Sequence, residues 1–586
     1  MKKILESVRL LKDELVEIRR HIHAHPEVGA HLPETTAYVK QKLEEFGYTP
    51  QEICESSIVA TICGKKSGKT FLIRADMDAL PITEEASCPF KATNGSMHAC
   101  GHDMHTTMLL GAAKLLREYE EDSLTFLFYF LPAMILIYFL APDKLKNLVM
   151  IIASFVFYAW GEIRFLPIMF LLSIEDFICA KQMEKHRNNI KLRRIYLLIS
   201  VCSNLGVLIF FKYTNFLMNN IFGLFGLESP FIQIILPIGV SFNSFQSISY
   251  AIDVYRGTTS CEKQYYNYLT YTTLFPQVIA GPIVRYVTVE NDLDDHKLTH
   301  NSFSIGMRRF IIGLGKKVLI ANNVGLIWNQ ISEGTAGEVS VLLFWIGILA
   351  YTFQIYFDFS GYSDMAIGLA RIFGLSFDEN FNYPYISKSI TEFWRRWHIT
   401  LGSWFRDYVY IPLGGNRCSK LRHLRNLLIV WGLTGFWHGA SWNFIIWGLY
   451  FAVILIAEKY FLLKLLVKLP GVFRHLYTLL LVMVSWVIFY FEDLGTATYY
   501  LKGMFGLNNI PLYNHQALYY LFSYGIIFAL AAYFSTPHFK KVLDATENTT
   551  KRYGFVCATF AYAFVFIGCV AYLVDSTYNP FLYFRF

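Results

Sequence analysis

Lys114-Leu-Leu-Arg-Glu-Tyr-Glu-Glu-Asp-Ser123 runs without a break into Leu124-Thr-Phe-Leu-Phe-Tyr-Phe-Leu-Pro-Ala-Met-Ile-Leu-Ile-Tyr-Phe-Leu140. The chain changes its solvent within those residues. Before Ser123 it mixes charges such as Lys42, Glu44 and Glu45 with alternating, strand-like runs, as a water-soluble α/β segment does. After Ser123, apolar stretches such as Phe126–Leu140, Leu148–Trp160 and Ile195–Phe211 recur toward the C-terminus. No Gly/Ser/Pro linker marks the join, so the chain reads as two sequences set end to end, 1–121 and 122–586. Function has to be derived for each separately.

Composition supports a membrane class. Of 586 residues, 54% are hydrophobic and 17% charged, against about 25% charged in soluble domains. About a dozen apolar segments follow Ser123, near 124–141, 146–160, 165–180, 195–216, 232–252, 268–284, 310–328, 340–373, 424–459, 475–491, 517–534 and 555–574. A spanning helix needs roughly 20 apolar residues, so 340–373 and 424–459 are each long enough for two passes, or for one pass and a re-entrant turn. The expected fold is mainly α, a polytopic membrane protein of about 11 transmembrane helices behind a truncated α/β soluble segment.

The net charge of +7 comes from basic loops (Lys181, Lys185, Arg187, Lys191, Arg193, Arg194; and Arg417, Lys420, Arg422, Arg425), which set topology rather than bind nucleic acid. Ten cysteines are scattered, several within apolar runs (Cys179, Cys202, Cys557, Cys569), with no disulfide framework in their spacing. The N-terminus, with Ile4, Val8, Leu11, Leu15 and Ile18 at helical spacing, reads as an amphipathic helix rather than a cleavable signal peptide.

In the first segment an apolar strand is expected at Phe71–Ile73, leading into Arg74-Ala-Asp-Met-Asp-Ala-Leu-Pro81, followed by His98-Ala-Cys-Gly-His-Asp-Met-His105. A thiolate, carboxylates and imidazoles so close together suit a zinc-like ion. With Arg20-His-Ile-His-Ala-His-Pro-Glu27, these motifs resemble the N-terminal third of the M20 metal-dependent amidohydrolases that cleave N-acyl amino acids. The resemblance implies that Cys100 and His102 are metal ligands. It also implies that the catalytic glutamates and remaining ligands come from later segments, which this chain lacks. Two ligands and no general base leave a vestigial, incomplete site and an inactive fragment.

Three patches stand out against the apolar background of the second segment. Phe275-Pro-Gln-Val-Ile-Ala-Gly-Pro-Ile-Val-Arg-Tyr286 suggests a broken or re-entrant segment, or else a kinked helix. Tyr356-Phe-Asp-Phe-Ser-Gly-Tyr-Ser-Asp-Met365 places Asp358 and Asp364 beside an apolar helix, where a carboxylate is either functional or paired with a cation. Phe393-Trp-Arg-Arg-Trp-His-Ile-Thr-Leu-Gly-Ser-Trp-Phe-Arg-Asp-Tyr408 sets Trp394, Arg395, Arg396, Trp397 and His398 in a stretch suited to headgroup-level binding of phosphate or carboxylate.

Beyond the second basic loop lies Gly435-Phe-Trp-His-Gly-Ala-Ser-Trp-Asn443. His438 is 13 residues past Arg425, about 20 Å into the bilayer along a helix. An imidazole at that depth needs a cavity or a polar partner, and the flanking Gly435 and Gly439 are expected to clear space for a ligand. A histidine with no adjacent Ser, Cys or metal set suits general-base transfer of an acyl group from a thioester to an alcohol. His398 would orient the acceptor or polarise the carbonyl.

These patches resemble the membrane-bound O-acyltransferases (MBOAT), most closely the bacterial branch that O-acetylates exopolysaccharides such as alginate. The likeness runs from about Ser123 through Phe155–Gly161, Leu236–Gly257, Phe275–Tyr286, Gly313–Ala321, Phe357–Asp364, Trp394–Gly415 and Trp437–Asn443 to the tail Tyr578–Phe586. It implies that His438 is the catalytic histidine and His398 its companion across a tunnel, with Trp394, Arg395, Arg396, Trp397, Asp358 and Asn443 contacting substrate. An acyl-thioester donor such as acetyl-CoA, no cofactor, a polysaccharide acceptor, an extracytoplasmic acetylation partner and a multi-pass place in the bacterial plasma membrane are implied with it. D-alanyl transfer to teichoic acid by a related enzyme is the runner-up. Two departures from the family pattern are Glu175-Asp176 and Tyr490-Phe-Glu-Asp493. A transporter is disfavoured by the lack of internal repeats.

Overall fold

The computed structural model describes residues 11–61, 73–118, 125–162, 165–227, 234, 236–237, 239–278, 281–296, 298–332, 334, 338–547 and 552–575. Ile4 and Val8, most of the strand expected at 71–73, the junction at Ser123, Ile279-Ala280 and the tail 578–586 lie outside them. The chain divides into a unit of Met1–Pro132 with part of the C-terminal tail, and a unit built on Ala133–Val570.

The first unit packs the helices Lys12–Ala24, Pro33–Glu45 and His102–Glu118 around Ile18, Ile22, Val39, Leu43, Phe46 and Leu110. Beside them is one antiparallel hairpin, Gln51–Cys54 with Ser57–Val59. The other strand pairing among the described residues is two isolated bridges, Val28 to Ala79 and Leu80 to Met97. Ile53, in the hairpin, and Ile73 are about two-thirds exposed.

Among the described residues, seven helices are long and apolar enough to cross a membrane: Ile190–Leu224, His300–Ser332, Val341–Ile372, Trp442–Leu466, Gly471–Tyr490, His515–Phe534 and Val556–Val574. Shorter or more polar helices accompany them, including Phe126–Leu140, Lys146–Glu162, Leu166–Lys185, Val240–Arg256 and Lys420–His438. The stretch 340–373, long enough for two passes, is one continuous 32-residue helix, and it contains no proline to interrupt its hydrogen-bond ladder. The stretch 424–459 does split, into Lys420–His438 and Trp442–Ala457, at the extended backbone of Gly439.

Val341–Ile372 is the central helix, with most of its residues buried. Two glycine pairs let His300–Gly315 lie directly against it. A Cβ on Gly306 would stand 2.6 Å from the Gly368 carbonyl oxygen, and one on Gly313 would stand 2.5 Å from that of Gly361. The seven-residue spacing on both helices keeps the two contacts on one seam, the small-residue packing on which helices in lipid rely.

Asp358 and Asp364 are paired with cations where they stand. Asp364 accepts from Lys316 Nζ at 2.7 Å and Arg309 Nε at 2.8 Å, and Arg309 continues to Glu379. Asp358 pairs with Lys317. The neighbouring lysines begin a π-helical stretch, Lys316–Ala321, whose wider turn changes the angle between successive side chains. Asp176, in one of the two departures from the family pattern, is fully buried and accepts from Ser200 Oγ at 2.5 Å and Asn204 Nδ2 at 2.9 Å. Asp493, in the other, caps the helix Leu494–Met504 through the Thr496 N–H at 2.7 Å.

The Phe275–Tyr286 patch is broken, not kinked. A single turn, Phe275–Val278, is followed by non-helical backbone at Gly281–Arg285 before the helix Tyr286–Asp294 begins. Gly281 to Val284 are buried, which is how irregular backbone is tolerated at membrane depth.

Candidate active site

His398 sits between two seven-residue helices, Ile390–Arg396 and Ile399–Phe405, in the left-handed conformation with φ 45°. That backbone is costly for a residue with a Cβ and persists only where surroundings impose it. Here the surroundings are a hydrogen-bonded cluster. The Ile399 N–H donates to the Asn380 carbonyl at 2.9 Å, and His398 Nδ1 lies 2.9 Å from Asn380 Oδ1.

The network assigns every proton in this cluster. Thr400 donates to Asn380 Oδ1 from its backbone N–H (3.4 Å) and its hydroxyl (2.9 Å), so Oδ1 is the acceptor end of the amide. Asn380 Nδ2 correspondingly donates to Ser363 Oγ at 3.0 Å on the central helix. The Thr400 hydroxyl is itself held by the Ile283 N–H at 3.1 Å, which ties the broken segment to the site. Nδ1 of His398 must therefore carry its hydrogen. Nε2 is left with a bare lone pair, and it is buried with no hydrogen-bond partner among the described residues.

His438 is the last residue of Lys420–His438, delivered where Gly439 leaves the helix at φ −165°. Its half-buried imidazole meets Trp437, Trp447 and Phe489, with ring centroids 5.0, 5.0 and 5.3 Å away. Among the described residues no side chain hydrogen-bonds to it. The Trp437 indole also lies 6.2 Å from the His398 ring, so the fold brings both histidines, 40 residues apart in sequence, against one indole.

Gly435 and Gly439 do not clear space for a ligand, contrary to the sequence-based expectation. A Cβ on Gly435 would stand 2.3 Å from the Phe444 carbonyl oxygen, and one on Gly439 would stand 2.1 Å from the Phe444 ring. With Gly448, Gly435 lets the two helices of the hairpin touch backbone to backbone. The glycines close this side of His438.

The residues expected to contact substrate are distributed differently from one another. Trp394 and Trp397 join Trp447, Trp486 and Phe489 in the aromatic cluster behind His438, with Trp394 5.6 Å from Trp447 and Trp397 5.1 Å from Trp486. Arg395 is exposed, and Arg396 reaches Glu392 and the Asn382 carbonyl. Asp358 is held by Lys317, one residue before the Phe359 ring that lies edge-on to His398. Asn443 is fully buried and donates to the Phe489 carbonyl at 3.0 Å, which secures the ring that faces His438. Asn380 and Thr400 were not legible as site residues, since nothing local in Asp378-Glu-Asn-Phe-Asn382 points to a histidine 18 positions on.

In the first unit, Cys100 and His102 both lie on Asp78. His102 Nδ1 is 3.0 Å from Asp78 Oδ1 and the Cys100 thiol 3.8 Å from the Asp78 carbonyl oxygen. Among the described residues, Cys100 and His102 belong to no group of three or more ligand atoms close enough to share an ion. The residues present therefore do not fit a complete metal centre. His23, Glu84 and Cys88 do converge, but His23 already has both ring nitrogens engaged, Nδ1 with Asp103 at 2.8 Å and Nε2 with Glu84 at 3.1 Å. The Ala92 N–H, and after it His23, hold the Glu84 carboxyl below its ordinary range.

Comparison with known proteins accords with these two units. The membrane-bound O-acyltransferase family matches residues 262–501, and peptidase family M20/M25/M40 matches residues 72–133. A probable alginate O-acetylase of Azotobacter vinelandii is 38% identical over 502 residues, 79% of this chain and 99% of that protein. A peptidoglycan O-acetyltransferase of Helicobacter pylori is 34% identical over 422 residues, 66% of this chain and 80% of its own. An N-acyl-L-amino acid amidohydrolase of Geobacillus stearothermophilus is 41% identical over 124 residues, 21% of this chain and 33% of that enzyme. The chain therefore belongs to the membrane-bound O-acyltransferase family, as a multi-pass membrane enzyme that transfers acyl groups to hydroxyls and carries an M20 amidohydrolase fragment ahead of its membrane unit.

Proposed function

We propose that this enzyme moves an acetyl group from a cytoplasmic thioester, acetyl-CoA, to hydroxyls of an extracytoplasmic polysaccharide. His438 is the general base and His398 orients the acceptor. The observation that carries this reading is the convergence of two imidazoles on Trp437, one of them locked into a single tautomer. The relatives named for alginate and peptidoglycan O-acetylation support acetyl as the acyl group and a glycan as the acceptor.

The tautomer chooses between the two roles open to His398. With hydrogen on Nδ1, Nε2 can only accept, so a neutral His398 cannot polarise a carbonyl and instead orients the acceptor by accepting from a sugar hydroxyl other than the attacking one, whose single proton is left for His438. The acceptor oxygen then attacks the thioester carbonyl carbon while His438 takes the hydroxyl proton. The tetrahedral intermediate collapses with cleavage of C–S, and the proton returns from His438 to the departing thiolate. An O-acyl ester and a free thiol result. No covalent enzyme intermediate is needed, because a thiolate is already a good leaving group. An extracytoplasmic acetylation protein completes delivery to the polymer in this reading.

The test is the O-acetyl content of exopolysaccharide from cells carrying each variant at matched membrane level. General-base catalysis contributes about 10²–10⁴-fold, so His438→Ala abolishes most acetylation, and His398→Ala is impaired. Arg417→Ala, in the exposed basic loop, changes little. Normal acetylation with His438→Ala removes the mechanism. Release of D-alanine rather than acetate on mild alkaline treatment assigns the chain to the teichoic acid reading.

A further inference from the structure

Within the apolar helix Ile190–Leu224 stands one deeply placed cation, Lys212, buried to 8% exposure. It lies 18 residues beyond Arg194, the last residue of its basic loop, or about 27 Å of helical rise. His438 is about 20 Å beyond its own basic loop by the same measure. Both helices thus start from a basic loop and reach similar depths, and there the lysine meets the end of the histidine's helix.

That helix end lacks its usual finish. A glycine just past a helix commonly turns left-handed and returns its N–H to the last carbonyls. Gly439 is extended instead, at φ −165°, ψ 155°, and the carbonyls of the final turn need other donors. Two adjacent side chains of the other helix supply them. Tyr213 Oη donates to the Phe436 carbonyl at 2.8 Å, with its ring stacked on Phe436 at 3.9 Å between centroids. Lys212 Nζ donates to the Trp437 carbonyl and, at 3.2 Å, to that of His438. Three consecutive carbonyls, ending on the residue that carries the imidazole, are capped from outside. The ammonium also sits at the negative end of the helix dipole and 5.6 Å from the Trp437 ring, which both histidines touch.

We infer that Lys212, supported by Tyr213, is a positioning residue for acyl transfer: it fixes the final peptide units of the Lys420–His438 helix and thereby where the His438 imidazole is held. At Gly439 the backbone makes no left-handed closure of its own, so these carbonyls take their donors from Lys212 and Tyr213. The inference rests on His438 being the base. Misplacement of a catalytic group by about 1 Å can lower a rate by about 10²-fold, so the effect belongs in kcat and not in donor affinity.

The experiment uses the full chain in membrane vesicles, with radiolabelled acetyl-CoA varied and vesicle-bound polymer as acceptor. Lys212→Met is expected to lower kcat about 10- to 100-fold with the KM for acetyl-CoA unchanged, and Lys212→Arg to restore most of the rate. On a His438→Ala background, Lys212→Met should cause no further loss, because it acts through that histidine. Wild-type kcat in Lys212→Met, a change confined to KM, or an additional loss on the His438→Ala background overturns the inference. Should Lys212→Met fail to accumulate, Tyr213→Phe decides: a lowered kcat at constant KM supports it, an unchanged kcat overturns it. If His438→Ala keeps full turnover, the general-base reading itself falls, and the inference with it; a dead His438→Ala beside an active Lys212→Met refutes the inference alone.

Discussion

Removing the Asn380 amide tests how far the His398 tautomer governs turnover. In the native cluster Asn380 Oδ1 accepts from His398 Nδ1, the Thr400 hydroxyl and the Thr400 N–H, while Nδ2 reaches Ser363. Asn380→Ala strips the imidazole of the hydrogen-bond acceptor that orients it and leaves buried donors unmatched. A neutral hydrogen bond contributes about 0.5–1.5 kcal/mol net, and an orphaned buried donor costs about 1–3 kcal/mol. The imidazole can relieve part of that cost by shifting its hydrogen to Nε2, which destroys the acceptor needed for the substrate hydroxyl. At about 1.36 kcal/mol per tenfold in rate, these terms correspond to a loss of about 10- to 100-fold in turnover. Asn380→Asp keeps the acceptor oxygens and should retain more activity than Asn380→Ala, whereas Ser363→Ala, which removes only the anchor of the amide nitrogen, should lose little. The assay is acetyl transfer from labelled acetyl-CoA in membrane vesicles, with thermal stability of each detergent-solubilised variant measured in parallel. Wild-type turnover in a stably inserted Asn380→Ala would refute the tautomer argument, as would Asn380→Asp being more damaged than Asn380→Ala.

Gly435→Ala should lower membrane accumulation and thermal stability by the equivalent of about 1–3 kcal/mol, because its methyl would meet the Phe444 carbonyl oxygen at 2.3 Å; unchanged stability would show that the hairpin yields easily. The full chain given zinc or manganese is expected to show no N-acyl amino acid cleavage, since Cys100 and His102 belong to no group of three or more ligand atoms among the described residues. Turnover that disappears in Cys100→Ala would contradict this.

Several features were legible because they depend only on residues close together in the chain. The change of solvent near Ser123 is one, since hydrocarbon selects runs of about 20 apolar residues wherever they occur. The break at Phe275–Tyr286 is another, because proline and glycine act on their own backbone. The residue types at His398 and His438 announced acid–base chemistry for a similar reason: an imidazole at membrane depth is rare without a purpose. The same rule would have found Lys212, a cation 18 residues beyond the basic cluster at the start of its 35-residue helix.

What the chain order could not decide is which atoms face one another across the folded interior. Glycines beside His438 are compatible with an open cavity or with a close helix crossing, and only Phe444 and Gly448 arriving opposite them select the second. Asp358 and Asp364 could have faced substrate until the π-helical turn set Lys316 and Lys317 against them. Asn380 acquires its meaning from a backbone break that points His398 back at it, and Lys212 from a helix end 226 positions away. Local sequence sets the preference of a segment for helix and for lipid, through interactions that act over a few residues. A hydrogen bond needs its donor and acceptor within about 3 Å, and for residues this far apart only packing of the whole unit brings them there.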